Sequence, residues 1–184
     1  MRTIFAFLMT TLDGYHEAVG HHLSWHTVDA EFRDFASAQL DEADTLLFGR
    51  ATYEHMAAWW PTPEGVASDP VIAAQMNGYD KVVVSTTLTA PAWGPATVLG
   101  DDAAGQLRKL KEQPGKDIAL IGSSTLAASL LGAGVLDELR TMINPVALGG
   151  GRPVLAGAPR TELELTAVRR FGSGNVLLTH RPRQ

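Results

Sequence analysis

The run from Ile118 to Leu131 constrains this chain more than any other stretch. Four apolar residues, Ile118 to Ile121, read as a short buried strand. Gly122, Ser123, Ser124 and Thr125 then turn the chain. Leu126, Leu130 and Leu131 follow at a spacing that puts them on one face of a helix. A strand that feeds a helix through glycine and small hydroxyl residues leaves free N–H groups at the positive end of the helix dipole. Such an end either receives a phosphate or another anion, or is simply closed by a serine or threonine cap. The unit also dictates architecture. Repeated along a chain, strands alternating with helices argue an α/β sheet that is mostly parallel, with helices on both faces.

The same alternation runs along the rest of the chain. Residues 3–10 read as a buried strand, and 12–15 as a turn holding Asp13 and Gly14. Residues 14–27 form a long loop with Gly20, His21, His22, Trp25 and His26. Asp29 is placed to cap a helix over 30–42, with Phe32, Phe35, Ala36 and Leu40 on one stripe. Strands are expected at 45–48, 81–85 and 118–121, and a minor one at 97–99. Helices are expected over 53–58, from Asp69-Pro70 and over 102–112, and Trp59 to Pro63 ends the first of these. A strand leading to Ile143, a glycine-rich loop over 145–153, and two strands at 163–170 and 175–180 complete the chain. The last two form an antiparallel hairpin through Gly172-Ser173-Gly174. The expected fold is α/β: one domain over 1–184, with a mixed, mostly parallel sheet between two helical layers and an antiparallel edge.

Composition excludes several functions. No cysteine is present, so disulfides, thiolate metal sites and a cysteine nucleophile are ruled out. The net charge of −5 and the absence of a basic block argue against nucleic acid and anionic membrane as partners. No apolar run is long enough to span a bilayer. The first residues resemble a strand and not a cleavable signal, so a cytoplasmic protein is expected. His21, His22 and His26 lack a complete ligand set, and no metal is expected.

Three strand ends carry glycine or hydroxyl residues: Gly49-Arg50-Ala51-Thr52, Ser85-Thr86-Thr87 and Gly122-Ser123-Ser124-Thr125. In a parallel sheet they share one edge, where ligands bind beyond the carboxyl ends of the strands. Two of them open helices, an arrangement suited to a diphosphate, with Arg50 able to fork onto a phosphate. The G-x-G-x-x-G fingerprint is missing. No carboxylate follows the strand at 81–85, and an acid there would bind a ribose diol, so the balance leans to NADPH over NADH. Trp25, Trp59 and Trp60 either line a pocket for a heterocycle or pack in the core or a dimer contact.

Asp13-Gly14, Gly49 to Tyr53, Val82 to Ser85, Ile121 to Ser124, Leu136 to Leu139 and Pro145 to Pro153 come in the order found in dihydrofolate reductase-like proteins. The last two blocks most resemble the reductase domain of riboflavin-biosynthesis deaminase/reductases. The resemblance implies a three-layer dihydrofolate reductase-like fold, a homodimer, and an NADPH-dependent reductase acting on a small heterocyclic or sugar-linked molecule. It carries diphosphate binding onto Gly49, Arg50, Thr52, Gly122, Ser123, Ser124 and Thr125. It sets Ser85 and Thr86 against the 2′-phosphate, Met9 to Thr11 beside the nicotinamide, and Gly20 over the cofactor. Asp13, Trp25 and Gly150 are expected at the substrate. Asp29 is the candidate substrate carboxylate, or else only a helix cap. Ser123-Ser124 stands where the family more often has two glycines. Without cysteine the zinc signature of the deaminase half cannot exist. The competing possibility is a nucleotide- or flavin-binding protein without turnover.

Overall fold

The computed structural model describes residues 1–183. Strand β1 (Ile4–Thr11) is the axis of the molecule, with all eight residues buried. Its side chains alternate between two cores. Phe5, Phe7 and Met9 enter one cluster, and Ile4, Ala6 and Leu8 enter the other. A strand covered on both faces reads as an unbroken apolar run, and that is how the sequence reads.

Around β1 lie β3 (Ala43–Gly49), β4 (Asp80–Val84), β5 (Ala96–Leu99), β6 (Asp117–Ile121), β7 (Glu138–Asn144), β9 (Leu163–Arg170) and β10 (Val176–Pro182). The sheet has eight strands in the order β5-β4-β3-β6-β1-β7-β10-β9. Pairing is parallel from β5 through to β7. It is antiparallel at β7–β10 and β10–β9, so the terminal hairpin forms as expected.

One core is covered by α1 (Ala30–Asp41), α2 (Arg50–Ala57) and α4 (Pro70–Gly78). The other is covered by α5 (Ala103–Glu112) and α6 (Ser124–Gly132). Adjacent strands β3 and β6 therefore send their chains to opposite faces, β3 into α2 and β6 into α6. The gap this leaves at their carboxyl ends is the switch point at which open α/β sheets bind ligands.

Three details differ from expectation. Helix α2 begins at Arg50 and not at Tyr53, because Gly49 is itself the N-cap. The proline-rich stretch after it holds a further helix, α3 (Pro63–Ser68): the Thr62 hydroxyl accepts from Gly65 N–H at 3.0 Å, with Pro63 in the first turn. Two segments expected as loops pair with each other, β2 (Tyr15–Glu17) with β8 (Arg152–Pro153). The glycine run makes that pairing possible. Gly151 has φ +145°, and a Cβ there would stand 2.1 Å from the Glu17 carbonyl oxygen. The close approach that Gly151 allows is to β2.

The sequence blocks that lie outside the crevice have structural work. The Asp137 carboxylate accepts from Ile4 N–H at 2.8 Å and pairs with Lys111 at 2.6 Å. Glu138 pairs with Arg140 at 2.7 Å, and that guanidinium lies over the Phe5 ring.

Candidate functional site

Four helices close their amino ends with a side chain: Asp29 for α1, Thr62 for α3, Asp69 for α4 and Asp102 for α5. The two at the switch point do not. Neither Gly49 before α2 nor Ser123 before α6 caps its helix with a side-chain hydrogen bond. The Ser123 hydroxyl instead accepts from Gly49 N–H at 3.0 Å and ties the two helix starts together. The first-turn N–H groups of both helices have no intrahelical partner and face a crevice of about 340 Å³. Gly49, Arg50, Thr52, Gly122, Ser123, Ser124 and Thr125 all line it. Gly122 holds φ +69°, a left-handed turn that brings backbone to the surface of the crevice. Arg50 and Arg152 supply positive charge at its rim. The two serines do not fill this space with free hydroxyls: Ser123 holds Gly49, and Ser124 accepts from Leu155 N–H at 2.9 Å.

The crevice opens into a second cavity of about 570 Å³ between β1, α1, α2 and α4. The two share His16, Glu17, Ala51, Thr52 and Gly122. Met9 lines the larger one, as does Trp60. His16 stands at the junction. Its Nδ1 lies 3.0 Å from the Met9 carbonyl oxygen and its Nε2 lies 2.8 Å from that of Gly122. This buried ring links the end of β1 to the glycine of the crevice.

Charge in the cavity is locally matched. Burial alone would push the Glu17 carboxyl up. The hydrogen bond from His21 at 2.7 Å and the charges of Arg152 and His16 bring it below its ordinary value. Burial, with His16 close by, pushes His26 down to about 4. His26 therefore faces the cavity uncharged at neutral pH. Arg33 reaches the Ser68 carbonyl at 3.0 Å and Asp69 at 3.4 Å.

Other expected site residues lie elsewhere. The Asp29 carboxylate accepts from Phe32 N–H at 2.8 Å and does not line the cavity, so in this structure it serves as the cap of α1. The Asp13 carboxylate accepts from the Thr11 hydroxyl at 2.6 Å and from Leu148 and Gly149 N–H at 3.0 and 2.7 Å. The Thr11 hydroxyl bond lowers the Asp13 carboxyl most, and the two backbone donors add to it. Asp13 and Thr11 thus clamp the loop after β7 and do not reach either cavity. Ser85 spends its hydroxyl on Thr87 and Leu88 N–H, and neither it nor Thr86 lines the crevice, which stops at Val84. Trp25 packs against the core beside His26, and Gly20 and Gly150 also lie outside both spaces. The residues that sequence reasoning missed are His16, Glu17, Gln39, Asp69 and Arg152. Glu17 and Arg152 meet only through the β2–β8 pairing, which no periodicity announces. Gln39 carried a signal, a polar residue within the apolar stripe of α1.

Comparison with known proteins agrees with this geometry. The family described as RibD C-terminal domain matches residues 2–177. The uncharacterized protein YyaP of Bacillus subtilis is 31% identical over 182 residues, 97% of this chain and 94% of that protein. The deaminase/5-amino-6-(5-phosphoribosylamino)uracil reductase of Thermotoga maritima superposes with a TM-score of 0.74 at 15% identity, over 99% of this chain and 57% of that one. A dihydrofolate reductase from Enterococcus faecalis, solved with NADP(H), gives a TM-score of 0.61 at 15% identity over 99% and 97% of the two chains. Among the described residues no helix is long and apolar enough to cross a membrane. The sheet order, the crevice between β3 and β6, and the match along nearly the whole sequence lead to one assignment: the chain belongs to the RibD C-terminal domain family, whose fold is dihydrofolate reductase-like and whose membership points to an enzyme of the reductase type.

Proposed function

We propose that the protein is an NADPH-dependent reductase that delivers hydride to a small ring compound. The observation that carries this reading is the pair of uncapped helix starts, joined by the Gly49–Ser123 hydrogen bond and opening directly into an apolar cavity. The crevice fits a diphosphate: backbone N–H groups of α2 and α6 would hold its oxygens, with Arg50 and Arg152 balancing its charge. NADPH supplies the hydride when bound, and the protein supplies position and electrostatics. Met9 and His16 fix the junction at which cofactor and substrate would meet. Phe7, Phe32 and Met56 keep water from the larger cavity. The choice of NADPH over NADH rests on the family and on the lack of a carboxylate after β4, where an acid would bind the ribose diol.

Titration with NADPH and NADH, read by energy transfer from tryptophan to the nicotinamide, tests this. NADPH is expected to bind at micromolar concentration and more tightly than NADH. Arg50→Ala is expected to weaken NADPH binding by about tenfold, the loss of one charge-assisted contact. Failure of both nucleotides to bind overturns the reading.

A further inference from the structure

Among the described residues, two carboxylates line the larger cavity, and they differ in what they leave free. Asp69 spends both oxygens within the protein: Oδ1 accepts from Ile72 N–H at 3.0 Å and Oδ2 from Arg33 at 3.4 Å. Glu17 spends one. His21 Nδ1 at 2.7 Å and Arg152 Nε at 3.7 Å both meet its Oε2. Among the described residues its Oε1 has no hydrogen-bond partner, and it is not enclosed. The side chain keeps 22% of its surface. Gln39 Oε1 and His26 Nε2 also lack partners, but both are shut inside the wall, where no ligand reaches them.

The backbone fixes where Oε1 stands. Glu17 pairs with Arg152 across β2 and β8, and Gly151 lets the two strands close. Glu17 lines the crevice as well as the larger cavity, so its carboxylate lies where their contents would meet. Burial opposes its charge, but the bond from His21 and the charge of Arg152 outweigh burial, and the carboxyl is ionised at neutral pH. An ionised oxygen at the edge of an apolar space holds a charged N–H donor more strongly than it would in open water. Other cations of the cavity do not stand against such a donor: Arg33 is held by Ser68 and Asp69, and His26 is uncharged at neutral pH. Phe7, Met9, Phe32, Met56 and Trp60 give the cavity flat and adaptable walls. A volume of about 570 Å³ holds a bicyclic ring with room for a further group.

We propose that Glu17 is the specificity-determining residue of the larger cavity, and that it selects a basic, amino-substituted nitrogen ring, whose N–H donor Oε1 accepts and whose positive charge the carboxylate balances. Substituents on that ring, a phosphorylated sugar included, are not restricted by this contact. Its biological meaning rests on the reductase reading, but binding alone tests it.

The probe 4-aminoquinoline is a flat cation with N–H donors at neutral pH, and 4-methylquinoline has nearly the same shape without the charge or the donor. Each is titrated calorimetrically into the full chain without cofactor. The amino compound is expected to bind about tenfold tighter, the effect of one charge-assisted hydrogen bond. In Glu17→Gln the ratio is expected to fall to about twofold. Should that variant not fold, Glu17→Asp, which draws the same charge back from the cavity, takes its place, and its ratio is likewise expected to fall. Equal affinities in the wild type, no binding of the amino compound, or a wild-type ratio in the variant overturns the proposal. Cofactor titration of the same preparation reports separately on the reductase reading, so the two can fail independently.

Discussion

At the scale of single residues, His26 links the cavity to pH. Unfolded, its ring takes a proton near 6.5; folded, burial and the neighbouring His16 delay that to about 4. Between those values the unfolded chain binds the extra proton. Stability therefore falls as pH drops from 6.5 towards 4, and the effect is absent above 6.5. The full span amounts to roughly 3 kcal/mol. Urea unfolding at pH 7.0 and at pH 4.5 in the wild type and in His26→Leu measures it. The variant is expected to lose less stability on acidification, while contributions from Asp13 and Glu17 are common to both proteins and drop out of the difference. An equal loss in both proteins would show that His26 does not carry the effect. The same scale shows why some site residues were legible and others were not. Gly49, Arg50 and Gly122 to Thr125 announce themselves because one local pattern, strand then glycine then helix, fixes their place. Asp29 carried two meanings at once, and its bond from Phe32 N–H favours the cap. Trp25 looked like a ligand platform, but a large aromatic ring satisfies the core equally well, and only its neighbours decide.

At the scale of elements, the bond from Gly49 N–H to Ser123 Oγ joins β3–α2 to β6–α6. Ser123→Ala removes the acceptor from a partly buried N–H without adding volume. Destabilisation of about 1–3 kcal/mol is expected, with weaker NADPH binding because the two helix starts are no longer held in register. Thermal unfolding and cofactor titration of the variant check this, and unchanged values for both would show that the bond holds nothing. Strands β1, β3, β4 and β6 were readable because they are continuous apolar runs between turn residues. Helix α3 was hidden by its own prolines, which read as terminators although Pro63 opens the helix. Strands β2 and β8 were unreadable in principle. They are three and two residues long, and their pairing spans most of the chain. The long loop between β2 and α1 is tethered near its end by Thr27, whose N–H meets Asn144 Oδ1 at 2.9 Å and whose carbonyl meets Asn175 Nδ2 at 3.1 Å. Both asparagines are fully buried, and neither pointed to the loop from sequence alone.

At the scale of the whole molecule, the sheet ends on β9 with an open edge. The register skips Thr166, so Leu165 and Val168 fall on the same face, and they are 52% and 59% exposed. The homodimer implied by the family resemblance has an apolar contact available here. Light scattering of the wild type is expected to give the mass of two chains, and Leu165→Lys combined with Val168→Lys is expected to give one. A monomeric wild type removes the dimer, and a dimeric double variant moves its contact away from β9. The order of elements and the parallel sheet could be read before any coordinates, because each strand and its helix are neighbours in sequence. Apart from the terminal hairpin, which strands lie side by side could not, because that choice is made by long-range packing. The ligand crevice follows from that wiring. It exists because two neighbouring strands exit to opposite sides, and it would persist if nearly every side chain around it were replaced. A chain can therefore differ widely in sequence and still keep this wiring, as the TM-score of 0.74 at 15% identity to the Thermotoga protein shows.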